Sequence, residues 1–168
     1  MNWFFITVGY SGLAPKAPGT FGTLASLPLG MLILIYFDAQ TLFLATILLS
    51  IIAIKAINKY EAKSGIHDDK RIVIDELAGI WLALSIAPAI SIGIDDITVL
   101  ENGFLIQSAL SFALFRYFDI AKPSIIGRID REVEGGLGVM GDDIIAGIAA
   151  GITSALIWQG LLNLQTFL

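Results

Sequence analysis

Apolar residues run in long stretches, at positions 24–37, 41–54, 77–94, 103–115 and 144–164, divided by short polar segments. Several stretches hold only about 14 uncharged residues, short of the roughly 17–25 of a membrane-spanning helix. A helix need not stop where its charge starts, however, and one further turn into each flank supplies the missing length. The pattern therefore predicts an all-α fold: a multihelical integral membrane bundle of about five hydrophobic helices. In the last run Gly147 and Gly151 stand at i,i+4, a small-residue face suited to close helix contact in lipid. No repeat, low-complexity tract or linker breaks the chain, which reads as a single domain over 1–168.

Charge follows the same segmentation. Lys16 precedes the first run; Lys55, Lys59, Lys63, Lys70 and Arg71 fall between the second and third; Arg116, Lys122, Arg128 and Arg131 fall between the fourth and fifth. The gap at 38–40, the gap around Asp95, Asp96 and Glu101, and the segment after the last run contain no cation. Five crossings would put every Lys and Arg on one side, which the positive-inside rule makes cytoplasmic, with the C-terminus outside. A very hydrophobic soluble or dimeric helical bundle is the alternative, but it has no reason to sort cations by loop parity. The N-terminus has neither a basic leader nor a small-residue cleavage site, and is not read as a cleaved signal peptide.

Composition sharpens this. The chain is 56% hydrophobic and only 15% charged, with a mean hydropathy of +0.81. Its formal charge of −5, with no basic stripe, argues against a nucleic-acid partner. The absence of cysteine removes disulfides, thiolate nucleophiles and cysteine-ligated metals together.

Three unusual segments share the cation-bearing side, so the motif loops are expected on one face. "SGLAPKAPGTFGTLASLP" is rich in turn residues, and Thr20 or Thr23 is suited to cap the following run or to help cradle an anion at its start. "HDDKRIVIDELAG" holds the adjacent acids Asp75 and Glu76; the apolar Ile72, Val73 and Ile74 before them predict that the pair lies inside the helix, near membrane depth. Carboxylates there are costly unless paired or metal-bound. His67, the only histidine, and Asp68 beside it are candidate ligands or proton carriers. In the third segment, residues 115–143, Arg116, Asp119 and Lys122 share a helical face before Pro123 bars continuation. Asp130 and glycines 135, 136 and 138 follow in a predicted mobile or tightly turned loop, and Asp142 and Asp143 open the last run. Hard oxygen ligands with one histidine and no thiolate suit Mg²⁺ best, while Arg and Lys suit phosphate. The constellation points to phosphoryl chemistry on a membrane-borne substrate, and leaves hydrolysis and transfer both open.

At these residues the chain resembles the phosphatidylglycerophosphatase A family of bacterial membrane enzymes. The resemblance rests on "GLAPKAPGTFGTLASLP", "HDDKRIVIDELAGIWLAL" and "FRYFDIAKPSIIGRIDREVEGGLGVMGDDIIAG", in that order along nearly the whole chain. Ile125 stands where proline is expected soon after Lys122-Pro123, and Thr23 where serine is common. The resemblance implies an all-helical fold, Mg²⁺ dependence, a site facing the cytoplasm from the inner membrane, and hydrolysis of phosphatidylglycerophosphate to phosphatidylglycerol and phosphate. Cysteine-, histidine- and aspartyl-phosphate-based phosphatases each need residues the chain lacks, which leaves metal-activated water. Asp75, Glu76, Asp142 and Asp143 are then the expected Mg²⁺ ligands, with Asp119 and Asp130 as further candidates, and Arg116, Lys122, Arg128 and Arg131 the phosphate-binding set. The rivals are a non-enzymatic lipid- or ion-binding bundle and another Mg²⁺-dependent lipid phosphoryl enzyme, such as a phosphotransferase, whose D-G-x-x-A-R signature is missing.

Overall fold

The computed structural model describes residues 3–87 and 103–165, and among these the chain is helical with no strand. Seven α-helices follow in order among the described residues: α1 (Trp3–Ile6), α2 (Pro18–Tyr36), α3 (Ala39–Ser64), α4 (Ile74–Ile86), α5 (Phe104–Ala121), α6 (Ile125–Glu132) and α7 (Gly135–Gln165). Their ends have local causes. Asp38 caps α3, its Oδ1 accepting the Thr41 N–H at 2.6 Å. Gly65, left-handed at φ 69°, closes the same helix. α5 stops as expected before Pro123, with Lys122 turned left-handed at φ 43°.

Four of the five apolar runs become helices long and apolar enough to cross a membrane: α2, α3, α5 and α7. Each buries only 22–28% of its most apolar window inside the protein. Large apolar side chains such as Leu24, Leu32, Leu44, Leu48 and Ile51 instead face outward, which suits lipid as the solvent. The third run differs. Its described part, 77–87, falls in α4 and its C-cap, and α4 has only 13 residues, about 20 Å. The rest of that run, and the loop acids Asp95, Asp96 and Glu101, lie outside the described residues. α4 packs against α2, α3, α5 and α7, and is buried almost all round from Glu76 to Leu84, as expected of a helix apolar on every face.

The α4–α7 crossing is unusually close. A Cβ on Gly147 would lie 2.3 Å from the Gly79 carbonyl oxygen, and one on Gly151 would lie 2.9 Å from that of Ala83. The small face expected at Gly147 and Gly151 is therefore the seam against the central helix. This matters for the site, because α4 carries Asp75 and Glu76 while α7 carries Asp142 and Asp143.

Helix order brings the three motif segments together. The start of α2, the end of α3, the start of α4, the end of α5, α6 and the start of α7 meet at one end of the bundle. All ten Lys and Arg residues fall in or beside these segments.

Candidate active site

A cavity of about 430 Å³ opens at this end, lined by residues from α2, the α3–α4 loop, α4, α5, α6 and α7. Buried carboxylates of Glu76, Asp142 and Asp143 form its depth, while the exposed His67, Asp68 and Lys70 stand at its rim. Asp75 and Glu76 lie in the first turn of α4, not inside the helix as the preceding apolar residues suggested. Residues 72 and 73 are buried outside it, Val73 donating its N–H to the Ile6 carbonyl at 3.0 Å. Conversely, Asp142 and Asp143 do not open the last helix. α7 starts at Gly135, where a left-handed φ of 72° and a hydrogen bond from the Gly136 N–H to Asn58 Oδ1 at 2.6 Å begin it two turns earlier. A capping role for those aspartates is thereby excluded.

Arg116 and Lys122 are held by acids rather than left free. Arg116 Nη1 pairs with Glu76, lies 2.9 Å from Asp119 Oδ2 and donates to Thr23 Oγ1 at 3.3 Å. Thr23, 2.8 Å from Glu76 Oε2, donates its hydroxyl there. Thus Thr23 sits within α2 as a partner of Glu76, not as a cap. Gly19 completes this lock: a Cβ there would lie 2.0 Å from Glu76 Oε1, so any side chain would displace the carboxylate. Lys122 pairs with Asp130 and with Asp142 Oδ2 at 2.7 Å. Burial works against the Lys122 ammonium, but the hydrogen bonds to Asp130 and Asp142 outweigh it and hold its pKa above the usual lysine value.

Three carboxylates converge. Asp119, Asp142 and Asp143 each present an oxygen within 4.8 Å of the other two, a spacing and an all-oxygen donor set that fit a hard divalent cation. Asp75 lines the same cavity, and its Oδ1 accepts the Glu76 N–H at 3.0 Å. No cation pairs with Asp75 among the described residues.

Other expected residues fall elsewhere. Arg128 is exposed and stands 3.8 Å from Glu132 one turn along α6, away from the cavity lining. Arg131 faces a neighbouring open groove shared with Glu61, His67, Asp130 and Glu134. Thr20 does not line the cavity. His67 reaches its rim, with Nδ1 2.7 Å from Glu61 Oε1. The Glu76–Thr23–Gly19 contact was not legible in advance, although the "GTFGT" spacing, with two glycines among hydroxyls, was its signal. Nor was the α3–α4 loop's anchor: Asp69, buried, accepts from Tyr60 Oη and from Arg71 Nη2 at 2.6 Å. The Arg71 guanidinium in turn stacks 5.0 Å from the Trp3 ring centre.

A family model described as phosphatidylglycerophosphatase A matches residues 4–158. The chain is 36% identical over 147 residues to phosphatidylglycerophosphatase A of Haemophilus influenzae, covering 86% of this chain and 82% of that protein. It is 37% identical over 152 residues to phosphatidylglycerophosphatase A of Escherichia coli, covering 89% and 80% respectively. A Bacteroides thetaiotaomicron protein with a provisional phosphatidylinositol-3-phosphatase name is 33% identical over 150 residues, covering 87% and 86%. No solved structure matches the chain.

Proposed function

The chain belongs to the phosphatidylglycerophosphatase A family of phosphoric monoester hydrolases, and we propose that it hydrolyses the terminal phosphomonoester of phosphatidylglycerophosphate with Mg²⁺ and water at the cytoplasmic face of the inner membrane. The observation that carries the reading is the convergence of Asp119, Asp142 and Asp143 in a cavity that also receives Arg116 and Lys122. Those three carboxylates would hold the cation, which when bound supplies positive charge to the oxygens of the transferring phosphoryl group.

The remaining residues have separable tasks in this reading. Arg116 is fixed by Glu76, Asp119 and Thr23, so its planar fork is held in one orientation. Its Nε is buried without an acceptor among the described residues, and a phosphate oxygen is the partner this reading gives it. Lys122, tied to Asp142, fixes the orientation of one proposed metal ligand and keeps a positive charge over the cavity. Asp75 has no cation to neutralise it among the described residues and lines the cavity; it is the carboxylate proposed to take the proton of the attacking water. The cytoplasmic orientation rests on the collection of all ten cations at the site end.

Phosphatidylinositol 3-phosphate is the second substrate to weigh, because one relative of similar identity carries that name. Purified protein given each lipid in mixed micelles with Mg²⁺ decides between them. The proposal expects phosphate and phosphatidylglycerol from the first lipid at a kcat/KM at least tenfold above that on the second, a difference of about 1.4 kcal/mol. Preferential release from the inositol lipid would overturn it.

A further inference from the structure

Lys70 belongs to none of the roles assigned above, yet it lines the cavity. Of the three Lys and Arg side chains in that lining, Arg116 is engaged by Glu76 and Asp119 and Lys122 by Asp130 and Asp142. Lys70 has no carboxylate partner among the described residues. It is also exposed, at the rim rather than among the buried carboxylates.

Its position is not that of a loose loop lysine. The residues on either side are pinned. Asp69 is buried and bonded to Tyr60 and Arg71, the Ile72 N–H donates to the Asp69 carbonyl at 2.8 Å, and Arg71 stacks on Trp3. With Asp69 turned inward, Lys70 is presented outward at the cavity mouth. The other cation near the mouth, Arg131, faces a groove it shares with Glu61, Asp130 and Glu134, surroundings that repel an anion.

A phosphatidylglycerophosphate headgroup carries two phosphates, the scissile monoester and a diester one glycerol away. With the monoester over the buried carboxylates, the diester lies toward the mouth. We propose that Lys70 is the specificity-determining residue that binds this second, diester phosphate. It favours two-phosphate headgroups over lipids that carry a monoester alone. The proposal rests on the substrate reading given above. Lys70 touches no reacting atom, so its contribution lies in KM rather than kcat.

The test uses the purified full chain in mixed micelles, comparing the parent with Lys70→Ala and Lys70→Arg. Two inhibitors separate the subsites during turnover of phosphatidylglycerophosphate: phosphatidylglycerol, which keeps only the diester, and inorganic phosphate, which mimics the monoester. Lys70→Ala is expected to raise KM and the inhibition constant of phosphatidylglycerol by roughly tenfold, the loss of one charge-assisted hydrogen bond at an exposed site. The kcat and inhibition by inorganic phosphate should stay unchanged, and Lys70→Arg should restore most of the loss. Equal weakening of both inhibitors, a fall in kcat alone, or no change in either constant would overturn the assignment. A parent protein that releases no phosphate from this lipid would instead defeat the substrate reading, and the assignment with it.

Discussion

Arg116 illustrates how much a single side chain does here. One guanidinium joins α5 to Glu76 of α4 and to Thr23 of α2, while pairing with Asp119 on its own helix. A lysine keeps the charge but offers a point donor in place of a planar fork. Arg116→Lys should therefore lower kcat/KM on phosphatidylglycerophosphate by one to two decades, about 1.4–2.8 kcal/mol, with the folded helix content unchanged by circular dichroism. If Arg116 were only a positive-inside anchor, lysine would serve equally well and the kinetics would match the parent. The residue types of this site were legible in the sequence, because buried acids and clustered cations are rare in so apolar a chain. Their pairing was not. Arg128 and Lys122 look alike in the sequence, yet only Lys122, itself left-handed before Pro123, lines the cavity.

Among elements, α4 is the one on which the site depends, and the loop before it sets its position. Asp69 anchors that loop through Tyr60 and Arg71. The Arg71 guanidinium beside Asp69 holds its carboxyl well below the usual carboxylate range, against the contrary pull of burial. A depressed folded pKa means that this contribution to stability is present above the unfolded carboxylate value, near pH 4, and is lost as pH falls through the lower folded value. Asp69→Asn should accordingly lower the melting temperature in detergent at pH 7 by about 2–6 °C. The gap between variant and parent should narrow as the pH is taken below about 4. A gap that stays constant across that range would mean the ionised carboxylate is not what stabilises the loop. Helix existence was legible from the apolar runs, and a close contact by the last helix from two glycines, though not that α4 is its partner. The starts of α4 and α7 differ from those the apolar pattern predicts. The preceding apolar residues at α4 pack as a buried loop, and the glycines at 135 and 136 begin a helix instead of forming a turn.

The whole molecule reads as a helical membrane bundle with its cations gathered at one end. The apolar runs made the helices legible, since lipid-facing helices leave their apolar residues outward, and the sorting of cations by loop made their common end legible. The number of crossings did not follow so simply, because the third run is in part a short buried helix at the centre of the others. The cation distribution predicts that Lys59 and Arg128 face the cytoplasm while Asp38 faces outward. Single cysteines placed at these positions in a chain with no native cysteine can be labelled with an impermeant thiol reagent in sealed cells. Labelling at position 38 alone is the expected result, and equal labelling at all three would contradict the orientation.

In the proposed function this charged end is one metal-assisted phosphatase site. Its most direct measurement is phosphate release from phosphatidylglycerophosphate by the purified, chelator-treated protein as Mg²⁺ is titrated back, for the parent and for Asp143→Asn. The parent should regain activity saturably. Asp143→Asn, lacking one of the three converging carboxylates, should stay at least roughly 10²-fold below it at any Mg²⁺ concentration, as expected when a charge-stabilising contact at the reacting group is lost. Full parental turnover in chelator, or near-parental turnover in Asp143→Asn, would contradict the account.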